Sequence, residues 1–169
     1  YKPFIDYEKQ QIRSSTGQLL LDFGQGILTI NAPEAQGVDG NLKAAGATKL
    51  KDVTIQSDLD LGSVIVVSLD GKPLAESGKM LLQVMSEEEN NGWKTHPVGQ
   101  KKHIDSIGHD PWMVKNLEGT VSLNHAEAWE VNGQALEPKC YAVKVAGDAD
   151  KITLLPSTVY YDVTKQWRD

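Results

Sequence analysis

Cysteine occurs once in this chain, at Cys140, so no internal disulfide can brace it and stability has to come from burial of a core. Positive charge is not in excess. The net charge is −6, which argues against a general nucleic-acid binder, because phosphate binding needs a concentrated positive surface. No apolar run approaches the roughly 20 residues of a membrane-crossing helix, so no membrane partner is expected. Nothing resembles a signal peptide. The chain opens at Tyr1-Lys2-Pro3 without an initiator Met and reads as a mature protein or an excised piece.

Catalytic signatures are equally scarce. No Ser lies in a G-x-S-x-G elbow, and Cys140, beside Tyr141 at the start of an alternating strand, suits a buried structural thiol better than an activated one. Gly24 with Gly26, and Gly37 with Gly40, do not open a helix after a strand, so they read as turn glycines rather than phosphate cradles. Glu87-Glu88-Glu89 offers three carboxylates. A glycosidase needs two facing each other across a bond, roughly 5–10 Å apart, whereas neighbours on an extended strand point to opposite faces. A solvated acidic strand end is the favoured reading, and the chain is expected not to be an enzyme.

What is present is strand. Hydrophobic residues make up 40% of the 169 and charged ones 24%, an ordinary globular balance that one domain spanning 1–169 accommodates. Val64–Leu69 and Met80–Met85 are short apolar runs flanking Asp70-Gly71 and Lys72-Pro73; neither alternates cleanly, which predicts mid-sheet strands with both faces covered. Leu19–Phe23 and Ile27–Asn31 flank Gly24-Gln25-Gly26, a three-residue hairpin loop, with Leu19, Leu21 and Phe23 on one face. Val53 and Ile55, Val121 and Leu123, Tyr141 to Val145, and Val159, Tyr161 and Val163 each alternate with polar or outward residues, and Asn132-Gly133 gives the strongest hairpin signal. Asn41–Leu50 is the best helix candidate and a poor one. About ten or eleven strands with short connections and no internal repeat predict an all-β, two-sheet antiparallel β-sandwich of jelly-roll type.

One stretch breaks the rhythm. Ser86–Trp112 reads as long and irregular, with a short strand near His103–Ile107, and it holds two of the four tryptophans and three of the four histidines. Sugar rings present apolar C–H faces that a flat indole or phenol can cover, while amide and charged groups bond their hydroxyls. Trp93, after Asn90-Asn91-Gly92, and Trp112, after Pro111, fall at expected loop–strand junctions and are candidate ligand contacts, with Asn91 beside them, against the plainer reading that each caps the sandwich core from the side; Tyr160, out of phase with Val159 and Tyr161, should face outward. Trp129, in phase with Val131, reads as core. Lys94, Lys101, Lys102 and His103 gather positive charge that would suit sulfate or uronate groups, against the plainer reading of a solvated loop balanced by Glu87–Glu89. His96, His103 and His109 lack the compact spacing of zinc ligands and read as surface histidines. No cofactor is expected; carboxylates in turns suit calcium, and Asp58 with Asp60, or Asp148 with Asp150, are the candidates, although neither pair supplies a full oxygen shell and turn residues are favoured.

Two phrases carry a family resemblance: Thr16-Gly17-Gln18-Leu19 through Asn31-Ala32-Pro33-Glu34-Ala35-Gln36-Gly37, and Ser68-Leu69-Asp70-Gly71-Lys72-Pro73-Leu74-Ala75-Glu76-Ser77. They resemble the accessory β-sandwich modules near the C-terminus of large secreted bacterial glycoside hydrolases. The resemblance implies a secreted or extracellular, non-catalytic module tethered to a catalytic domain, with a polysaccharide or oligosaccharide as ligand. The alternative is a structural sandwich that packs against the catalytic domain and has no ligand. The shared residues look like turn and strand signatures rather than sugar ligands, so no binding residue is carried over from them.

Overall fold

The computed structural model describes residues 4–124, 129–136, 142–144 and 151–166. In chain order the strands are β1 (Ile5–Asp6), β2 (Gln11–Arg13), β3 (Leu19–Asp22), β4 (Ile27–Asn31) and β5 (Ala35–Gly40), then the short helix α1 (Leu42–Ala45). β6 (Thr48–Lys49), β7 (Val53–Gln56), β8 (Gly62–Ser68), β9 (Lys79–Ser86), β10 (Glu88–Val98) and β11 (Lys101–Val114) follow. β12 (Thr120–Leu123), β13 (Trp129–Ala135), β14 (Ala142–Lys144), β15 (Lys151–Thr153) and β16 (Thr158–Lys165) complete the described elements. Ten strands form one sheet in the order β1-β2-β3-β4-β5-β8-β9-β16-β13-β14, four form a second in the order β15-β12-β7-β6, and β10-β11 stand apart as a two-stranded ribbon. All pairings are antiparallel.

The two larger sheets pack face to face. Val38, Val64, Val66, Met80, Leu82, Val84, Tyr161 and Val163 from the ten-stranded sheet share one buried cluster with Val53, Ile55, Val121, Leu123 and Ile152 from the four-stranded sheet. The all-β sandwich is therefore as expected. Ten strands facing four is more lopsided than the paired four-stranded sheets of a jelly roll. The alternations read from β7, β12 and β16 place Val53, Ile55, Val121, Leu123, Val159, Tyr161 and Val163 inward, and Tyr160 outward.

Several local expectations change. Val64–Leu69 and Met80–Met85 are antiparallel neighbours in mid-sheet, Gly62↔Ser86 through Ser68↔Met80, but only one face is fully buried. Ile65, Val67 and Leu81 are half-buried on the outer face, which no third layer covers among the described residues. The β3–β4 loop has four residues rather than three, since Asp22 pairs with Ile27 and Phe23 lies outside the strand. Asn132-Gly133 is not a turn but the middle of β13, where buried Gly133 pairs with buried Tyr161. The strand count exceeds the expected ten or eleven because strands as short as two residues, and the whole ribbon, carry little apolar signal. Within Asn41–Leu50 only Leu42–Ala45 is helical, capped by Asn41 accepting from the Ala44 N–H and ended by Gly46. Asp148, Asp150, Cys140, Tyr141 and Val145 lie outside the described residues.

Candidate functional site

The segment expected to be irregular is the longest regular element among the described residues. Asn90 to Val98 pair with Lys101 to Trp112 across a two-residue turn, Gly99-Gln100, in which Gly99 takes the left-handed φ of +61° that such a hairpin loop places on glycine. Its sequence hid it because neither face packs on the core. Most residues of β10 and β11 are exposed and none is buried, so no period-2 apolar pattern is required. At roughly 3.3 Å per residue, β10 alone reaches about 35 Å from base to tip. At the base the ribbon is tied to the body: Lys115 N–H donates to Glu87 O at 2.9 Å, Ser86 Oγ donates to Lys115 O at 2.6 Å, and Lys115 Nζ pairs with Glu87 at 2.9 Å. Glu87 holds the Lys115 ammonium above its ordinary pKa by accepting that bond.

Two bulges re-aim the ribbon's side chains. Asn90 pairs with Trp112 but Asn91 pairs with His109, so Asp110 and Pro111 are extra residues on β11, and proline has no N–H to give the ladder. Next to this bulge Gly108 is held at φ +71°, and a Cβ there would meet Asn91 O at 2.6 Å, so only glycine fits. Asn90 Nδ2 donates to Ile107 O at 2.8 Å and braces the same irregularity. This arrangement brings Trp93 and Trp112 to one cleft of about 330 Å³ lined by Glu88, Glu89, Asn90, Trp93 and Trp112. Trp93 is 36% exposed and Trp112 48%, far from the occlusion of a core indole. An adjoining concavity of about 470 Å³ runs along Glu87–Glu89 and Met113–Lys115.

The remaining expected site residues lie elsewhere. Lys94 is the strand neighbour of Trp93 and pairs with Ser106, so it projects to the opposite face. Lys101 and Lys102 pair with Val98 and Pro97 at the tip, about 16 Å along the strand from Trp93. The expected grouping of tryptophans with lysines is thus replaced by tryptophans with Glu88 and Glu89. Asn91 is half-buried opposite His109 rather than part of the cleft lining, and Tyr160 is exposed on the outer face of the ten-stranded sheet. Asn90, Glu88 and Glu89 were not read as partners of the indoles. The bulge that turns them into one cleft depends on pairing that an exposed ribbon does not announce. Asp60 faces Lys43 at 4.0 Å and Lys115 at 3.8 Å.

Near the tip, His96 pairs directly with His103, and Asp105 is the extra residue of the second bulge, since Lys94 pairs with Ser106 but Thr95 with Ile104. His96 Nδ1 lies 2.8 and 2.9 Å from the two Asp105 oxygens, and His103 Nδ1 lies 3.4 Å from Oδ1. His109 is apart, its Nδ1 on Asp110 O.

The phrases that carried the family resemblance are structural. Asp70 Oδ1 accepts from Ser68 Oγ and Ser77 Oγ, each at 2.8 Å, and Oδ2 accepts from Gly78 N–H at 2.9 Å, closing the β8–β9 loop on itself. Gln36 and Asp52 exchange two buried bonds, Gln36 Nε2 to Asp52 Oδ2 at 2.6 Å and Asp52 N–H to Gln36 Oε1 at 2.8 Å. A Cβ on Gly37 would sit 2.6 Å from Val64 O. Comparison with protein-family models, curated proteins and solved structures finds no match to this chain. Among the described residues no helix is long and apolar enough to cross a membrane.

Proposed function

We propose that this chain is a non-catalytic polysaccharide-binding module, tethered to a secreted bacterial glycoside hydrolase, that uses the Trp93–Trp112 cleft as its sugar site. The observation that carries the reading is the convergence of two partly exposed indoles with one amide and two carboxylates on a single concave surface. Indole faces cover the apolar C–H faces of pyranose rings, and Glu88, Glu89 and Asn90 supply acceptors for ring hydroxyls. Two carboxylates in the lining repel sulfate and uronate groups, so the ligand is a neutral glycan. Tethering makes modest affinity sufficient, because the module raises the local concentration of substrate around its enzyme.

Affinity gel electrophoresis of the whole chain in neutral and anionic polysaccharides tests this. A neutral glycan should retard it, and Trp93→Ala and Trp112→Ala should each abolish most of the retardation. Retardation by none, or only by an anionic glycan and unchanged in both variants, removes the proposal.

A second reading has its own observation. On the outer face of the ten-stranded sheet, Ile12, Leu21 and Leu28 stand in one cross-strand row and Leu19, Ile30 and Ile65 in the next; Ile12, Leu19 and Leu21 are exposed. Such a row suits a sandwich that packs against a neighbouring domain.

A further inference from the structure

We propose that His96, His103 and Asp105 bind one divalent transition-metal ion of the zinc class near the tip of the ribbon, a site independent of the sugar cleft. The placement follows from register. The Gly99-Gln100 turn sets Val98 opposite Lys101, which puts His96 opposite His103. His103 and Asp105, two residues apart on one strand, share its face, and the bulge at Asp105 pushes that carboxylate in beside both imidazoles. The two rings lie 4.9 Å apart, centre to centre, tilted by 36°.

The donors fit the ion. One ligand atom from each of the three residues lies within 4.8 Å of the others. Around a tetrahedral ion with bonds of about 2.1 Å, donors stand roughly 3.4 Å apart. Closing the widest of these gaps takes about 1.4 Å of side-chain movement, and all three side chains are exposed and free of core packing. Two imidazoles and one carboxylate suit zinc, nickel or copper; magnesium and calcium take oxygen ligands. Three protein ligands leave a position open to solvent. Because His96 is on β10 and the other two ligands are on β11, the ion would also clamp the strands together where no core holds them.

The test is calorimetric titration of the chelator-stripped whole chain with zinc sulfate at about pH 7.5. A Cys140→Ser background removes the thiol as a competing ligand. We expect saturable binding of one ion per chain, and weakening of about tenfold or more in His96→Ala and in His103→Ala. His109→Ala should bind as the parent does, and magnesium chloride should give no binding. In the histidine ring region of the NMR spectrum, zinc should move the His96 and His103 signals and leave His109 in place. Each variant sits on an exposed ribbon, and unchanged backbone amide shifts in the rest of the ribbon will confirm that it is folded. No saturable binding, or binding retained in the His96→Ala/His103→Ala double variant, overturns the site.

Discussion

Gln36 and Asp52 link the two sheets through paired bonds at a position where neither residue meets solvent. Buried polar groups stabilise only when paired, so replacing one partner costs more than the bond itself. Gln36→Leu removes both bonds and should lower the unfolding free energy by about 1–3 kcal/mol in urea melts, with the m-value unchanged. Asp70 tests a different physics. The Gly78 N–H, then the Ser77 and Ser68 hydroxyls and the Lys72 N–H, hold its carboxyl well below the ordinary 3.8. Its contribution is therefore fully present above about pH 4 and is lost as pH falls through the depressed value. Asp70→Asn should lower the melting temperature at neutral pH, and the difference between the two proteins should shrink steadily on acidification below pH 4. A difference that stays constant with pH would mean that the carboxylate charge does no work in this loop. Tyr161 behaves in the opposite sense: burial raises its hydroxyl pKa, with the Leu155 N–H donating to its oxygen at 2.7 Å. Its contribution is present below the ordinary value of 10 and is lost as pH rises through the raised one.

The ribbon is an element that stands outside the packed core. None of its residues belongs to the buried cluster, and its base is closed by hydrogen bonds between residues 86–87 and 115. Replacing 88–114 with Asn-Gly should leave the melting temperature of the body almost unchanged while abolishing glycan retardation. Loss of cooperative melting on that excision would show that the ribbon helps hold the sandwich. Within the ribbon, Trp93→Ala and Trp112→Ala separate a surface role from a core one. A buried Trp costs roughly 3–5 kcal/mol when truncated, whereas these variants should melt within about 0.5 kcal/mol of the parent. Stacking against a nucleobase is worth roughly 1–3 kcal/mol, and a sugar face, lacking π-electrons, should gain somewhat less. Loss of one ring should thus weaken glycan binding by about tenfold.

At the scale of the whole molecule, the ten-stranded sheet is wider than the four-stranded sheet that covers it, and its outer face carries apolar residues that no described layer meets. Leu19→Lys and Leu21→Lys should leave stability within about 0.5 kcal/mol, because both positions are exposed. If this face docks on a catalytic domain, the same variants should break co-elution with that domain on size exclusion. Co-elution that survives both substitutions would place the contact elsewhere. Glycan retardation should be indifferent to them, since the cleft lies on the ribbon.

The core strands were legible because burial imposes a period. Val53 with Ile55, Val121 with Leu123, and Val159, Tyr161 and Val163 each had to face the opposite sheet, and alternation records that requirement residue by residue. Tyr160 was legible as exposed because it falls out of phase with its inward neighbours, whereas the exposure of the two indoles, which the sequence places equally well as caps on the core, was decided by the ribbon. The ribbon itself was not legible, since a strand pair in solvent needs no apolar face and leaves only a Gly-Gln turn as its trace. Asn132-Gly133 misled because a turn signal and a mid-strand Asn-Gly pair look alike in one dimension. Pairing alone decided which residues meet: it joined Trp93 to Trp112 with two glutamates instead of lysines, and His96 to His103 and Asp105. Those partners are set by register and bulges, long-range properties of two strands that neither strand's own residues encode.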